Sequence, residues 1–260
     1  MKRYHVCLFL CCLSAIFISA DKGEPMQQLV NDFLSADWPT VLSAKEKMEN
    51  TGEDCIDDLI NMMNDCRVNK LQNTGDLIFP GAEKYFGHGQ IIDYDIDDIC
   101  VRAGWLLEDL TFLNFGFSGI HLPDNELEGF ISGNFPEYFN NPSNRTHLEE
   151  LTASGERTLI RKLSIEKAKN WWNSASQGWN RLDALHEALN SQDEKCQVKA
   201  LFYLRNGRTR CEGLTEKYYR THLESIIKKL AKVKLGRVSE NAKLIMLDSD
   251  FDWLSIKPVD

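Results

Sequence analysis

Apolar residues recur at helical spacing along most of this chain. Met26, Leu29 and Phe33, for example, fall on one face of a helix. No segment shows the sustained alternation of apolar and polar residues that is typical of a half-buried strand, so the pattern predicts an all-α fold. Asp95 or Asp97 can cap the helix that starts near residue 96. The spacing predicts helices close to residues 26–35, 39–51, 53–64, 96–110, 159–172, 179–189, 196–205, 215–234 and 238–247.

Two segments lack this periodicity. Residues 66–95 are punctuated by Pro80 and by several glycines, too often for a regular helix. Residues 112–145 contain Phe115-Gly116-Phe117 and Asn141-Pro142, which also interrupt helical patterning. We therefore expect a long Gly-rich insertion loop and, after it, a second irregular segment within one otherwise helical domain.

The N-terminus has the order of a secretory signal. Basic residues precede an apolar run over residues 6–18, and small residues follow it up to Ala20. This run is shorter than the about 20 residues that a membrane-spanning helix needs. We therefore expect residues 1–20 to be a signal peptide that is cleaved after Ala20, with no stable membrane anchor. The mature chain, residues 21–260, is expected to fold as a single domain in the periplasm or outside the cell.

The charge of the chain bears on its partners. The net charge is −9 at pH 7, and the signal segment contains basic but no acidic residues, so the mature protein is more acidic still. Proteins bind nucleic acids mainly through cationic side chains that meet phosphates. We therefore expect no nucleic acid as a partner, and a protein partner instead.

The cysteines suggest a disulfide. Eight cysteines occur in the chain, and three of them lie in the signal segment. In an oxidising compartment the remaining odd number leaves at least one thiol unpaired. Cys196 and Cys211 are the candidate pair, because Asn206-Gly207 between them lets the chain turn back. The alternative is five buried free thiols. No two of these cysteines have the close spacing of a zinc site, and we expect no metal.

The Gly-rich segment contains the best candidate for a chemical site. Glycines on both sides of His88 leave its imidazole accessible, and nearby carboxylates could orient it or act with it as acid or base. In the alternative interpretation, aromatic residues of this segment only pin the loop onto the helices. The catalytic candidates are Glu83, His88, Asp93 and Asp95. The candidate binding-loop residues are Tyr85, Phe86, His88, Tyr94 and Asp95.

Other catalytic and cofactor motifs do not occur in the sequence. The acidic run that starts at Asp93 has the spacing that opens a calcium loop, but Asp98 and Gly104 stand where that loop needs Gly and Glu. The metalloprotease motif HExxH, the nucleophile motif GxSxG and the Gly-rich phosphate loop are absent. We therefore expect no cofactor.

The segment IDDICVRAGWLLEDLT at 96–111 resembles the second helix of a HEAT-type repeat, in which an Arg after a Val precedes small and leucine-rich core positions. Residues 39–64 resemble a full two-helix unit of that kind, and CQVKALFYLRNG at 196–207 resembles another. The resemblance covers about half of the mature chain. It implies a HEAT-like helical-hairpin solenoid or α-α superhelix, because stacked hairpins bury apolar faces that one hairpin cannot bury alone. The insertion at 66–95 departs from a strict repeat.

Two functions are compatible with these features. Insertions between repeats often carry a binding function. The first hypothesis is therefore an exported non-enzymatic protein-binding scaffold, such as an immunity or envelope-associated protein, with residues 66–95 as its recognition loop. The resemblance carries over no catalytic residue and favours this function. The alternative is a hydrolase of envelope polymers that uses Glu83, His88, Asp93 and Asp95.

Overall fold

The computed structural model describes residues 26–82, 90–206, 211–233 and 236–247, and the predicted signal peptide lies outside them. Helices dominate these residues, which confirms the all-α class. Strands within the described ranges are limited to β1 (Leu77–Ile78) and β2 (Gln90–Ile91), which pair in parallel. The helices are α1 (Met26–Phe33), α2 (Trp38–Thr51), α3 (Ile56–Met62), α4 (Ile99–Thr111), α5 (Leu127–Asn134), α6 (Pro136–Phe139), α7 (Pro142–Glu149), α8 (Ala153–Ala175), α9 (Arg181–Asn190), α10 (Glu194–Asn206), α11 (Glu216–Tyr218), α12 (Glu224–Leu230) and α13 (Arg237–Leu247).

Capping residues set where the helices begin. The Asp37 carboxylate accepts a hydrogen bond from the Thr40 backbone N–H (3.2 Å) at the start of α2, and Pro39 occupies the first turn. Asp98 caps α4 in the same way by accepting from the Val101 N–H (3.3 Å). Each cap satisfies a backbone donor that has no partner inside its own helix.

The buried side chains form two hydrophobic cores. The first is built mainly from α1 to α4 together with α5 and α8, and the second from α9, α10, α12 and α13. Phe112 ends α4 in a left-handed conformation (φ 60°) and belongs to the second core, where its ring centre lies 5.2 Å from that of Tyr203. The two cores therefore meet at the end of α4.

The buried Arg102 of α4 joins separate parts of the first core. Its guanidinium donates to the backbone carbonyls of Phe33 and Ser35 (both 2.9 Å), Asn69 (3.1 Å) and Ile96 (2.6 Å). Burial lowers the pKa of Arg102 to about 10, so the side chain is still charged at neutral pH. These carbonyls compensate the loss of water around the charge, and in return the arginine ties the end of α1 to the Gly-rich segment.

Backbone hydrogen bonds anchor the first half of the Gly-rich insertion. The Gln72 N–H donates to the Ala36 carbonyl (2.7 Å), and the Trp38 N–H donates to the Gln72 carbonyl (3.1 Å). Further along, β1 pairs with β2, with Leu77 opposite Gln90. The part of the insertion before β1 is therefore held against α1 and α2.

The segment 112–145, expected to be irregular, contains short helices. It holds α5, α6 and the start of α7. Pro136 and Pro142 each occupy a first helical turn, where the missing N–H costs nothing. Leu127 and Ile131 of α5 are buried in the first core. Helices of this length are too short to show a periodic apolar face in the sequence.

The membrane and repeat predictions concern the whole chain. Among the described helices, none is both long enough and apolar enough to cross a bilayer. Neighbouring helices pack in pairs, α1 with α2, α3 with α4 and α9 with α10. The stacking of such pairs into a HEAT-like solenoid stays a prediction.

Candidate functional site

A cavity of about 490 Å³ opens between α2, α4 and α10. Its volume lies within the range of about 300–1,000 Å³ that is usual for ligand pockets. Residues 91–94, which start at the last residue of β2, form one wall of the cavity. Arg181 of α9 and Arg237 of α13 also line the cavity. The cavity therefore brings together parts of the chain that lie far apart in sequence.

Charged side chains of alternating sign form a continuous series at the base of this cavity. The Lys45 Nζ lies 2.8 Å from Glu49 Oε1 and 3.3 Å from Asp109 Oδ2. The Lys199 Nζ lies 3.4 Å from Asp109 Oδ1 and 3.5 Å from Oε2 of the buried Glu108. Arg181 Nη2 lies 3.6 Å from Glu49 Oε1 and starts the series. We call this series the ion-pair chain; its members, in order, are Arg181, Glu49, Lys45, Asp109, Lys199 and Glu108.

Mutual attraction within the ion-pair chain keeps its central members charged. Burial acts to lower the pKa of Lys45 and of Lys199, but the neighbouring carboxylates outweigh it and raise both pKa values. Burial likewise acts to raise the pKa of Asp109, but the two lysines outweigh it and lower that pKa. At neutral pH these groups therefore hold fixed charges.

Tyr94, a predicted binding-loop residue, is joined to the ion-pair chain. Its hydroxyl donates a short hydrogen bond to Glu108 Oε2, and the Lys199 ammonium donates to the same hydroxyl (2.9 Å). Burial raises the pKa of Tyr94 well above its usual value, so the hydroxyl keeps its proton. The other Glu108 oxygen accepts from the backbone N–H groups of Phe115 (2.7 Å) and Gly116 (2.9 Å). Tyr94 is thereby held against the turn that follows α4.

Aromatic rings flank the cations of the cavity. The Lys45 ammonium lies 4.8 Å from the centre of the Trp105 ring, and the Arg181 guanidinium lies 4.5 Å from the centre of the Tyr203 ring. Both distances are typical of cation–π interactions. The rings cover part of the charged base and leave an apolar surface that faces the cavity.

Two apolar side chains are exposed at the rim. Ile91 is 72 % exposed and Phe202 of α10 is 46 % exposed, and both line the cavity. Exposed apolar surface beside a cavity with a polar base is typical of an interaction site. The cavity therefore offers apolar anchors at its mouth and fixed charges at its base.

No protein-family model, no curated protein and no solved structure matches this chain. The charges that are held in place, the apolar groups that are exposed and the groups that can move a proton define what this cavity can do.

The structure separates the two predicted catalytic residues that it describes. Asp93 lies at the cavity, where its carboxylate is 3.7 Å from Arg237 Nη1. Asp95 does not line the cavity, and its Oδ2 lies 3.5 Å from Nδ1 of His121. Asp93 and Asp95 therefore have different partners. The remaining predicted site residues, Glu83, Tyr85, Phe86 and His88, lie outside the described residues.

The rest of the acidic run has structural partners. The Asp97 carboxylate accepts a hydrogen bond from the Leu71 backbone N–H (2.8 Å). The sequence predicts Asp95 or Asp97 as the cap of α4, but the capping residue is Asp98. The Asp98 carboxylate also forms an ion pair with Arg161 Nη2 at 2.5 Å. In the part of the chain that the structure describes, no three His, Cys, Asp or Glu side chains come together in a group that could hold a metal ion.

The predicted disulfide between Cys196 and Cys211 is not formed, and the structure contains no disulfide among the five cysteines that it describes. Cys196 lies in the first turn of α10. The Cys211 backbone N–H donates to the hydroxyl of Tyr203 (2.7 Å), seven residues further along α10. The backbone at Cys211 is therefore positioned by the side chain of a residue about two turns further along α10 than Cys196, and not by a bond to Cys196.

Sequence reasoning missed most of the cavity. Lys45, Asp109 and Lys199 come from three different helices, and no motif relates them. One signal was present in the sequence: Glu108 and Asp109 interrupt the apolar pattern of α4. Adjacent acidic residues in a buried helix need cationic partners. Only the fold decides which lysines supply them.

Proposed function

We propose that this protein is an exported, non-enzymatic binding protein that receives a segment of a partner protein in the cavity between α2, α4 and α10. One observation carries the proposal: the ion-pair chain at the base of the cavity is combined with exposed Ile91 and Phe202 at its mouth. The proposal keeps the binding role that the sequence predicts for the Gly-rich insertion. Among the described residues of the insertion, residues 91–94 at its end line the cavity and would contact the partner.

The protonation states favour binding over acid–base catalysis. A general acid or base works best when its pKa lies near the operating pH. The pKa values of Lys45, Lys199 and Tyr94 are raised and that of Asp109 is lowered, so all four move away from neutrality. Such groups are suited to orient a charged ligand rather than to transfer a proton to it.

The composition of the walls favours a protein as the partner. Cations and anions alternate in the ion-pair chain, so the cavity has no excess of positive charge with which to attract phosphates. Trp105 and Tyr203 supply aromatic surface, and Ile91 and Phe202 supply apolar surface at the rim. Aromatic anchors beside paired charges are typical of the energetic centres of protein interfaces. We therefore expect the partner segment that enters the cavity to carry an apolar anchor side chain with charged groups beside it.

An immunity or envelope-associated role is part of this proposal. The signal-like N-terminus and the acidic composition support it, because an immunity protein covers a toxin delivered to the same compartment with acidic surface. The alternative role, a hydrolase of envelope polymers, needs Glu83, His88, Asp93 and Asp95 at one centre. The different partners of Asp93 and Asp95 favour the binding role.

Native affinity capture tests the proposal. The mature chain, residues 21–260, is produced in its own host and compared with the Ile91→Asp variant, which places a charge at the rim. We expect the wild type to retain a stoichiometric partner. The variant should lose at least about tenfold in affinity, because a carboxylate buried at the interface without a counter-charge is costly.

Val233→Asp is the matched control. Val233 is also β-branched, is 51 % exposed, lies outside the Gly-rich insertion and does not line the cavity, so this variant should keep the partner. Equal loss in both variants, or full retention by Ile91→Asp, would argue against the cavity as the binding surface. If the wild type captures no partner, the binding proposal fails, and assays of His88→Ala on envelope polymers become the next test.

A further inference from the structure

We propose that Cys66 and Cys100 form an intramolecular disulfide in the mature protein, at the junction between the Gly-rich insertion and α4. The proposal is independent of the partner-binding role. It requires an oxidising compartment, which the signal-like N-terminus predicts.

The backbone brings the two cysteines to neighbouring positions. Val68 pairs with Asp98 in an isolated antiparallel bridge, and the Ile99 N–H donates to the Arg67 carbonyl (3.0 Å). Cys66 directly precedes Arg67 and Cys100 directly follows Ile99, so each cysteine lies one residue beyond this hydrogen bond. A disulfide spans Cα atoms about 4.4–6.8 Å apart, and the hydrogen bond between the neighbouring residues brings both cysteines to the same junction.

The start of α4 places the second cysteine. The helix begins at Ile99, so Cys100 lies in its first turn, directly after the residue that is hydrogen-bonded to the insertion. Burial raises the pKa of the Cys100 thiol to about 12, and the nearby Cys66 sulfur adds to that rise while Arg161 opposes it. The two sulfurs are thus close enough to influence each other electrostatically.

The exposure of the two thiols sets the order of the reaction. Cys66 is exposed and Cys100 is buried. The Cys66 thiolate attacks the S–S bond of a disulfide oxidant, such as oxidised glutathione or a thiol oxidoreductase, and releases one thiolate. The Cys100 thiol then loses its proton, attacks the Cys66 sulfur and releases the second thiolate. In sum, the two cysteines lose two protons and two electrons, and the S–S bond of the oxidant is reduced to two thiols.

The bond would close a loop that contains one wall of the cavity. Residues 91–94 lie between Cys66 and Cys100, so the disulfide restricts the unfolded chain and anchors both ends of the segment that carries Tyr94. Of the remaining cysteines, Cys55 lies in the first core and Cys196 in the second. They are the buried free thiols of this arrangement.

Oxidation of the purified protein tests the geometry. The reduced mature chain is incubated with oxidised glutathione, its thiols are alkylated, and it is digested without reduction for mass spectrometry. We expect a linked pair of peptides that contain Cys66 and Cys100, lighter than the two free peptides by two hydrogen atoms. Glutathione retained on Cys66, with Cys100 alkylated, would overturn the proposal. Cys66→Ser should abolish the link and Cys196→Ser should leave it intact.

Isolation from the host tests whether the bond forms in the natural protein. Thiols are blocked at lysis, and the same linked peptides should be recovered in most of the molecules. Free Cys66 and Cys100 in that sample would overturn the proposal even if the purified protein can be oxidised. As an independent measurement, a reducing agent should lower the Tm of the oxidised wild type by roughly 5–10 °C and leave that of Cys66→Ser unchanged.

Discussion

The Tyr94 hydroxyl donates a hydrogen bond to the buried Glu108 carboxylate, which also lies 3.5 Å from the Lys199 ammonium. The end of the Gly-rich insertion, α4 and α10 therefore share one buried polar cluster. Each interaction in such a cluster is stronger than it would be in water, and an unpaired member is costly. The wall of the cavity thus depends on a hydrogen bond that crosses between elements.

Tyr94→Phe removes this hydrogen bond and leaves the ring in place. We expect the free energy of unfolding to fall by about 1–3 kcal/mol, because Glu108 loses a donor in a buried site. Urea unfolding monitored by circular dichroism measures the change. The control is Tyr138→Phe on α6, a partly exposed tyrosine, for which we expect less than about 0.5 kcal/mol. Equal effects in the two variants would show that the Tyr94 hydroxyl contributes little.

Arg102→Met removes the guanidinium that joins α1, the Gly-rich segment and α4. Four backbone carbonyls then lose their donor, and we expect a loss of about 3 kcal/mol or more in the free energy of unfolding. Arg67→Met is the control, since the Arg67 side chain is 76 % exposed and should change stability by no more than about 0.5 kcal/mol. A small effect at Arg102 would mean that water can replace the guanidinium.

Gly104→Ala should destabilise the protein although alanine favours helices. A Cβ at position 104 would lie 2.2 Å from a ring carbon of the buried Phe117, which has no room to move aside. We expect a loss of about 1–3 kcal/mol in the free energy of unfolding. Gly129→Ala on α5 meets nothing within 4 Å and should instead be neutral or stabilise by up to about 1 kcal/mol. Thermal denaturation of both variants decides the sign at each position.

The Asp98–Arg161 ion pair should govern part of the acid stability. Burial acts to raise the pKa of Asp98, but the imidazole of His121 and the guanidinium of Arg161 outweigh it and lower the pKa to about 2. The pKa in the unfolded chain is near 3.8. A pKa that is lower in the folded state contributes stability above pH 3.8, here about 2 kcal/mol, and that stability is lost as the pH falls from 3.8 through 2.

Arg161→Met tests this dependence on pH. Without the guanidinium the folded-state pKa of Asp98 rises, and we expect the midpoint of acid unfolding to move up by about one pH unit. Arg157→Met is the control on the same helix, because Arg157 pairs with Asp124, whose side chain is mostly exposed. The acid titration is followed by tryptophan fluorescence. An unchanged midpoint for Arg161→Met would remove Asp98 from the account of acid stability.

The sequence predicts most of the long helices, but it does not predict which residue caps α4. The pattern predicts a helix that begins near residue 96, with Asp95 or Asp97 as its cap, whereas α4 begins at Ile99 and is capped by Asp98. The bridge between Val68 and Asp98 keeps residue 98 extended and delays the first helical turn. That bridge is a contact with a segment thirty residues earlier, so local spacing does not reveal it.

The candidate site was predictable only in part. Asp93 and Tyr94, both proposed from the Gly-rich segment, line the cavity, and Asp95 does not. The sequence does not predict Lys45 and Lys199 as site residues, because each lies on a helix with an ordinary amphipathic pattern. Their partner is the same carboxylate, that of Asp109.

The sequence by itself determined the helical class and the apolar face of each long helix, because helical spacing relates residues only three or four positions apart. Only the tertiary structure decided which charges meet. Lys45, Asp109 and Lys199 are brought together by the packing of α2, α4 and α10, and a bridge between Val68 and Asp98 brings the insertion to the start of α4. Such pairings depend on how loops close and which buried groups need a partner, and these conditions are set by the whole fold.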